Sequence, residues 1–276
     1  MKKLLTSGAH TYAKKIKDPR SLDMYLDYRK EVKADITCVL DTVPSVDTKH
    51  YPTNRHQEVS RRNLSVYREM VRLGVKEPMV VLRPWDPPEV IHAYLDLRVV
   101  HVALDPFPYR AGSAESHRWI ETMWTHFGLA EMCVMHAYRI SELDLIKRYP
   151  WNSASCSTWA INASYGVISV PKPDGTFFDV RVDEGKYSEK RQSVNSLGPH
   201  ERRYVERHVE KMGMTMEDVK LKSAREQLAV RTYKSLLGPH VNHLYFVVQR
   251  NEMVLLSENA NIEYDFAYRA GKEHKA

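Results

Sequence analysis

Tyr149-Pro150-Trp151-Asn152-Ser153-Ala154-Ser155-Cys156-Ser157-Thr158-Trp159-Ala160-Ile161-Asn162-Ala163-Ser164-Tyr165-Gly166 is the stretch on which the reading of the fold turns. It is small, polar and aromatic at once. Short residues let a backbone come close to a ligand, and hydroxyls and amides supply directional contacts. Two readings stand side by side: a strand-to-helix corner packed on the core, and a loop facing a ligand. Gly166 ends the segment, and the apolar run Val167 to Val170 follows it.

Working back from this stretch, Met132 to Met135 reads as a strand ending at His136-Ala137-Tyr138, and Ser141 opens a helix through Ile146. Val99 to Leu104 is a strand ending at Asp105-Pro106. Met79 to Leu82 ends at Arg83, Ala34 to Leu40 at Asp41, and Lys3 to Leu5 at Thr6-Ser7-Gly8. Helical patterns fill the gaps: Ser21 to Val32, Thr53 to Leu73, Pro87 to Leu97 and Ser113 to Phe127. Apolar spacing of three and four places Val59, Leu64, Tyr67, Met70 and Val71 on one side of the second of these. Short strands alternating with helical patterns predict parallel βαβ units. An open doubly wound sheet would carry a glycine-rich phosphate loop after an early strand, and Gly8 stands alone. The expectation is therefore α/β, a (β/α)8 TIM-type barrel with a C-terminal helical, basic extension. Its ligand site would lie at the C-terminal ends of the strands, where Ser7, Asp41, Arg83, Asp105, His136, Ser155 and Cys156 gather.

Beyond Pro171 the rhythm changes. Pro171 to Gly175 is a turn and Phe177 to Val182 a strand. Helices are expected at about 199–212 and 215–235. Leu244 to Val248 and Met253 to Leu256 read as a hairpin around Gln249 to Glu252. The domain reading is a core over 1–185, then a helical extension with C-terminal strands over 186–276 that completes the barrel. The extension is rich in Arg and Lys, including Arg191, Arg202, Arg203, Arg207 and Lys211. It reads either as a basic arm along a nucleic-acid backbone or as a solvated helical face, because Glu201, Glu206, Glu210 and Glu217 are interspersed.

Composition bounds the function classes. The 276 residues are 43% hydrophobic and 28% charged, as in an ordinary globular chain. No apolar run reaches the roughly 20 residues of a membrane helix. The opening Met-Lys-Lys-Leu-Leu-Thr-Ser-Gly lacks a signal-peptide core, so no membrane partner and a cytoplasmic location are expected. Cys38, Cys133 and Cys156 are widely separated, which fits neither a disulfide framework nor a zinc cluster. No metal and no cofactor are expected. A formal charge of +6 suits attraction to phosphate.

Four segments carry a resemblance to a known family. They are Thr6-Ser7-Gly8-Ala9-His10, Leu40-Asp41-Thr42-Val43-Pro44, Met135-His136-Ala137-Tyr138-Arg139-Ile140, and Tyr149 to Trp159 with Tyr165-Gly166. Over roughly residues 1–170 the chain resembles the DpdA-type relatives of tRNA-guanine transglycosylase, a phage and bacterial group that exchanges bases in nucleic acid for 7-deazaguanine derivatives. The resemblance implies the barrel, a guanine or 7-deazaguanine base as ligand, and DNA ahead of tRNA as polymer. It implies base-binding roles for Asp41, Ser7, Asp105, His136, Tyr138 and Trp159. The family chemistry uses two carboxylates, one as nucleophile on the ribose and one for proton transfer, the logic of a retaining glycosidase. Ser155 and Thr6 stand at those two catalytic positions. A glycine of the third segment is replaced by Arg139, and Asp105-Pro106 stands where a glycine pair is expected.

Three readings follow. The first is a transglycosylase-like barrel that binds without catalysis, as an accessory subunit of an active transglycosylase or as a phage structural or assembly protein. The second is a base-exchange enzyme with a relocated site using Asp41, Asp105, His136 and Cys156. The third is an unrelated enzyme on the same fold. Cys156 enters because a thiolate is a strong nucleophile, although a lone cysteine among small residues is ordinarily inert.

Overall fold

Strands buried on both faces leave little room for polar residues except at their ends, and that constraint governs this protein. The computed structural model describes residues 2–7, 21–44, 54–109, 112–125, 127–140, 142–156, 158–183, 192–248 and 261–265. The strands are β1 (Lys3–Thr6), β2 (Ile36–Thr37), β3 (Val80–Leu82), β4 (His101–Leu104), β5 (Val134–Ala137), β6 (Ser153–Cys156), β7 (Val167–Pro171), β8 (Phe177–Arg181), β9 (His243–Val248) and β10 (Asn261–Asp265). The helices are α1 (Leu22–Val32), α2 (Asn54–Arg72), α3 (Pro88–Asp96), α4 (Ala114–Thr125), α5 (Leu129–Met132), α6 (Leu143–Arg148), α7 (Thr158–Ser164), α8 (Pro199–Lys211) and α9 (Lys222–Leu237).

Eight strands form one sheet in the order β2-β1-β10-β9-β6-β5-β4-β3, with every pairing parallel. The two end strands also meet. Cys38, just past β2, bridges in parallel to Met79, just before β3. Val39 N donates to Met79 O at 2.9 Å, and Met79 N donates to Thr37 O at 2.8 Å.

Alternation along the strands separates two interiors. Leu5, Val80, Leu82, Val102, Leu104, Met135, Ala137 and Phe246 pack against the helices. Leu4, Cys38, Met79, Val81, Ala103, Tyr138 and Tyr245 pack against one another on the opposite face. That smaller cluster draws on strands from both ends of the sheet order.

Helix boundaries follow local chemistry. Ser21 caps α1 by accepting from Met24 N at 3.2 Å, and Lys33 ends it in a left-handed conformation. α2 buries Ser60, Asn63, Leu64, Tyr67 and Met70, the spacing of one helix face. α3 opens with Pro88 in its first turn, where a missing N–H costs nothing.

Between α7 and α9 lies an insertion with its own core. β7 and β8 pair antiparallel around the Pro171–Gly175 turn. Ile168, Val170 and Val180 of this hairpin pack against Val205 and Val209 of α8, with Leu197, Val219 and Leu228. The apolar run after the opening stretch therefore leaves the parallel sheet. The expected hairpin at 244–256 requires a correction. β9 has parallel neighbours on both sides, β6 and β10, with Tyr245 beside both Ser155 and Asn261, which leaves no edge for an antiparallel partner. An apolar run reveals a strand without revealing its partner. Met253 to Leu256 lies outside the described residues.

Candidate functional site

Continuing the inner-face alternation past the C-terminal ends of the strands places a polar layer above the small apolar cluster. Ala103 and His136 are direct register partners, as are His136 and Ser153, and Ser155 and Tyr245. Two residues beyond Leu4, Val81 and Ala103 come Thr6, Arg83 and Asp105. All are buried: Thr6, Arg83, Asp105, His136 and Ser155 each expose 1% of their surface, and Asp41 and Ser7 each expose 2%.

Arg83 organises one half of this layer. Its Nη2 lies 2.5 Å from Asp41 Oδ2, and its Nε donates to Asp105 Oδ2 at 3.0 Å. Ser7 Oγ donates to the other oxygen of Asp41. Phe107 N donates to Asp105 Oδ1 at 3.2 Å. A third carboxylate, Asp86, accepts from Arg83 N at 2.7 Å and from Ser60 Oγ at 2.5 Å. Burial opposes the guanidinium charge, but Asp41, Asp105 and Asp86 outweigh it and hold Arg83 firmly protonated. Asp86 keeps some exposed surface, yet protein crowds its carboxyl. Desolvation pushes it up to about 6 against the hydrogen bonds from Ser60 and Arg83.

His136 organises the other half. Its Nδ1 lies 2.8 Å from Ser153 Oγ and its Nε2 lies 3.1 Å from Ser155 Oγ. Burial, with a small contribution from His101, pushes its pKa down to about 3. The ring is therefore neutral at physiological pH. It donates one hydrogen bond and accepts one. A base so reluctant to become imidazolium is poorly matched to taking the Ser155 proton. Tyr138 and Tyr245 flank the ring at 6.1 and 6.0 Å between centroids. Trp85 and Phe107 stand edge to face at 5.9 Å near Arg83.

Of the residues expected at the site, the structure brings Thr6, Ser7, Asp41, Asp105, His136, Tyr138 and Ser155 to one end of the sheet. The side chains of Cys156 and Trp159 lie outside the described residues. The structure adds Ser60, Asp86, Ser153 and Tyr245, which strand-end reasoning did not select. Asp86 had a signal, since an Asp three residues after a strand-end Arg is placed to accept its backbone N–H. Ser153 had one too, since it lies two residues before Ser155 on the same strand face.

A cleft of about 670 Å3 lies between residues that follow β4, β5 and β6 in the chain and the β7–β8 hairpin, and none of the polar-layer residues lines it. Glu142, Asp144, Thr158, Asp174, Asp179 and Tyr233 are among its lining residues. Among the described residues, no group of three or more His, Cys, Asp or Glu is arranged to hold a metal ion. None of the helices described is long and apolar enough to cross a membrane. Comparison of the chain with protein-family models, with curated proteins and with solved structures found no match.

Proposed function

We propose that this chain is a DpdA-like, tRNA-guanine-transglycosylase-like (β/α)8 barrel protein. In this reading it binds a guanine-type base in nucleic acid without the two-carboxylate exchange chemistry, as a binding or accessory subunit. Three features support the barrel reading: the all-parallel order of eight strands, the Cys38–Met79 bridge between the end strands, and an inner cluster drawn from both ends. Arg139 supports the family reading. It stands at a position where the family has glycine and takes a left-handed backbone with φ of 60°, a conformation that glycine suits.

One observation carries the functional reading. The carboxylates left at the strand ends, Asp41 and Asp105, are both engaged by one buried Arg83, while Ser155 pairs with a neutral His136. A nucleophilic carboxylate must reach an anomeric carbon. Here both carboxylates are neutralised by Arg83. The layer is instead rich in donors and acceptors of fixed direction, which suits reading the edge of a base. A base seated there would exchange with Arg83 for the oxygens of Asp41 and Asp105.

The test is base exchange. Purified protein is incubated with DNA or tRNA and radiolabelled guanine or 7-deazaguanine bases, and label retained in polymer is counted. Background incorporation with salt-sensitive retention of polymer is expected. Incorporation abolished by Asp41→Ala, Asp105→Ala or Cys156→Ala would overturn this reading and establish a relocated active site.

A further inference from the structure

We infer that the outward face of α8 is a docking surface for a nucleic-acid phosphate backbone. This rests on the nucleic-acid binding proposed above and names where the polymer lies. Val205 and Val209 of α8 are fully buried in the core of the insertion. At about 100° per residue, the direction opposite them is Arg207. His200, Arg203, Tyr204 and Lys211 fall with Arg207 inside an arc of about 100°. All five are exposed. Glu201, Glu206 and Glu210 fall outside this arc, and Glu206 is turned to Arg202 at 3.7 Å. The helix thus sorts a sequence of mixed charge into a cationic stripe. Over the rise from His200 to Lys211 the stripe is about 16 Å long, enough to follow several phosphates of one strand.

The stripe connects to the strand-end site through the insertion. Tyr204 Oη donates to Pro171 O at 2.6 Å, which sets the stripe beside the β7–β8 turn and exposed Lys172. Gly175 in that turn lies against Leu143 at the start of α6, and α6 follows the strand that carries His136. A polymer on this face would therefore run along the insertion beside the β7–β8 turn that packs on α6. Charge selects its course, because the cleft lined by Glu142, Asp144, Asp174 and Asp179 repels phosphate while the α8 stripe attracts it. An anionic membrane fits less well. An interfacial helix needs an apolar face turned to lipid, and the valines of α8 are committed to the protein core.

The experiment measures binding of the full chain to a fluorescein-labelled DNA duplex by anisotropy across a salt series. It compares wild type, Arg203→Gln/Arg207→Gln, and the control Arg118→Gln at an exposed position of α4. The double variant should bind about tenfold more weakly, with its log–log salt slope reduced by about 2, one per lost phosphate contact. The control should match wild type, and all three should share one circular-dichroism spectrum. Wild-type binding with an unchanged double variant would overturn the α8 assignment alone. No wild-type binding even at low salt would overturn the nucleic-acid reading together with it. Binding to anionic vesicles but not to DNA would assign the stripe to lipid and contradict the inference.

Discussion

At the scale of single residues, Arg83 is the group on which the polar layer depends. It is 1% exposed and faces three carboxylates. Removing one member of a buried ionic cluster strands the others, which costs about 3–5 kcal/mol. Arg83→Met should therefore lower stability by about that much, read as a fall in the urea midpoint. Adding Asp41→Asn and Asp105→Asn should recover part of the loss. His136 makes a pH-dependent contribution. Its pKa falls from the ordinary 6.5 to about 3, so between those values the unfolded chain takes up a proton that the folded chain does not. This contribution is complete above pH 6.5 and is lost as the pH falls toward 3. Asp86 has the opposite sign. Raised from 3.8 to about 6, it favours the folded state at low pH, and that contribution is lost as the pH rises through 6. Urea titrations between pH 3.8 and 6.5 should show a shallower acid loss of stability in His136→Gln and a steeper one in Asp86→Asn. The strand-end polar residues were legible from sequence because each breaks an apolar run. Their pairing was not. Nothing in the spacing of Asp41, Arg83 and Asp105 says that one guanidinium serves both carboxylates, since that contact joins three separate βα units.

At the scale of elements, the insertion is held to the sheet region by a buried clamp. Arg225 of α9 donates to Ala163 O at 2.9 Å, Val219 O at 3.1 Å and Lys220 O at 2.6 Å, and lies 3.7 Å from Asp183. These contacts tie α7, α9 and the chain leading out of α8 together. Arg225→Met should leave those carbonyls without their charged donor. Hydrogen exchange should then quicken in β7, β8 and α8 while amides of β3, β4 and β5 stay protected. Uniform quickening would mean that the insertion and the sheet open as one unit. Most elements before residue 150 were readable from periodicity, because each buries one face or runs apolar throughout, but the short α5 was not, and Met132, read as the start of a strand, closes that helix. The β7–β8 pair and β9 were readable as strands but not in their pairing. A short apolar run carries no information on direction, and the parallel contact of β9 with β6 spans the whole insertion.

For the whole molecule, the fold concentrates polar chemistry at one end of the sheet and basic charge on the face of an inserted helix. The mixed sequence of α8 did not show its stripe until the buried positions of Val205 and Val209 fixed which side faces outward. In the proposed function the strand-end layer recognises a base but forms no covalent link to the sugar. The most direct test is a denaturing gel after incubation of the protein with end-labelled DNA or tRNA, where a nucleosyl–enzyme intermediate would migrate as labelled protein. Wild type should give no denaturant-stable adduct, because Ser155 and Thr6 stand where the proposed resemblance would need carboxylates and Asp41 and Asp105 are bound to Arg83. A wild-type adduct that disappears on substitution of Asp41, Asp105 or Cys156 would contradict the proposed function and make this chain a working transferase.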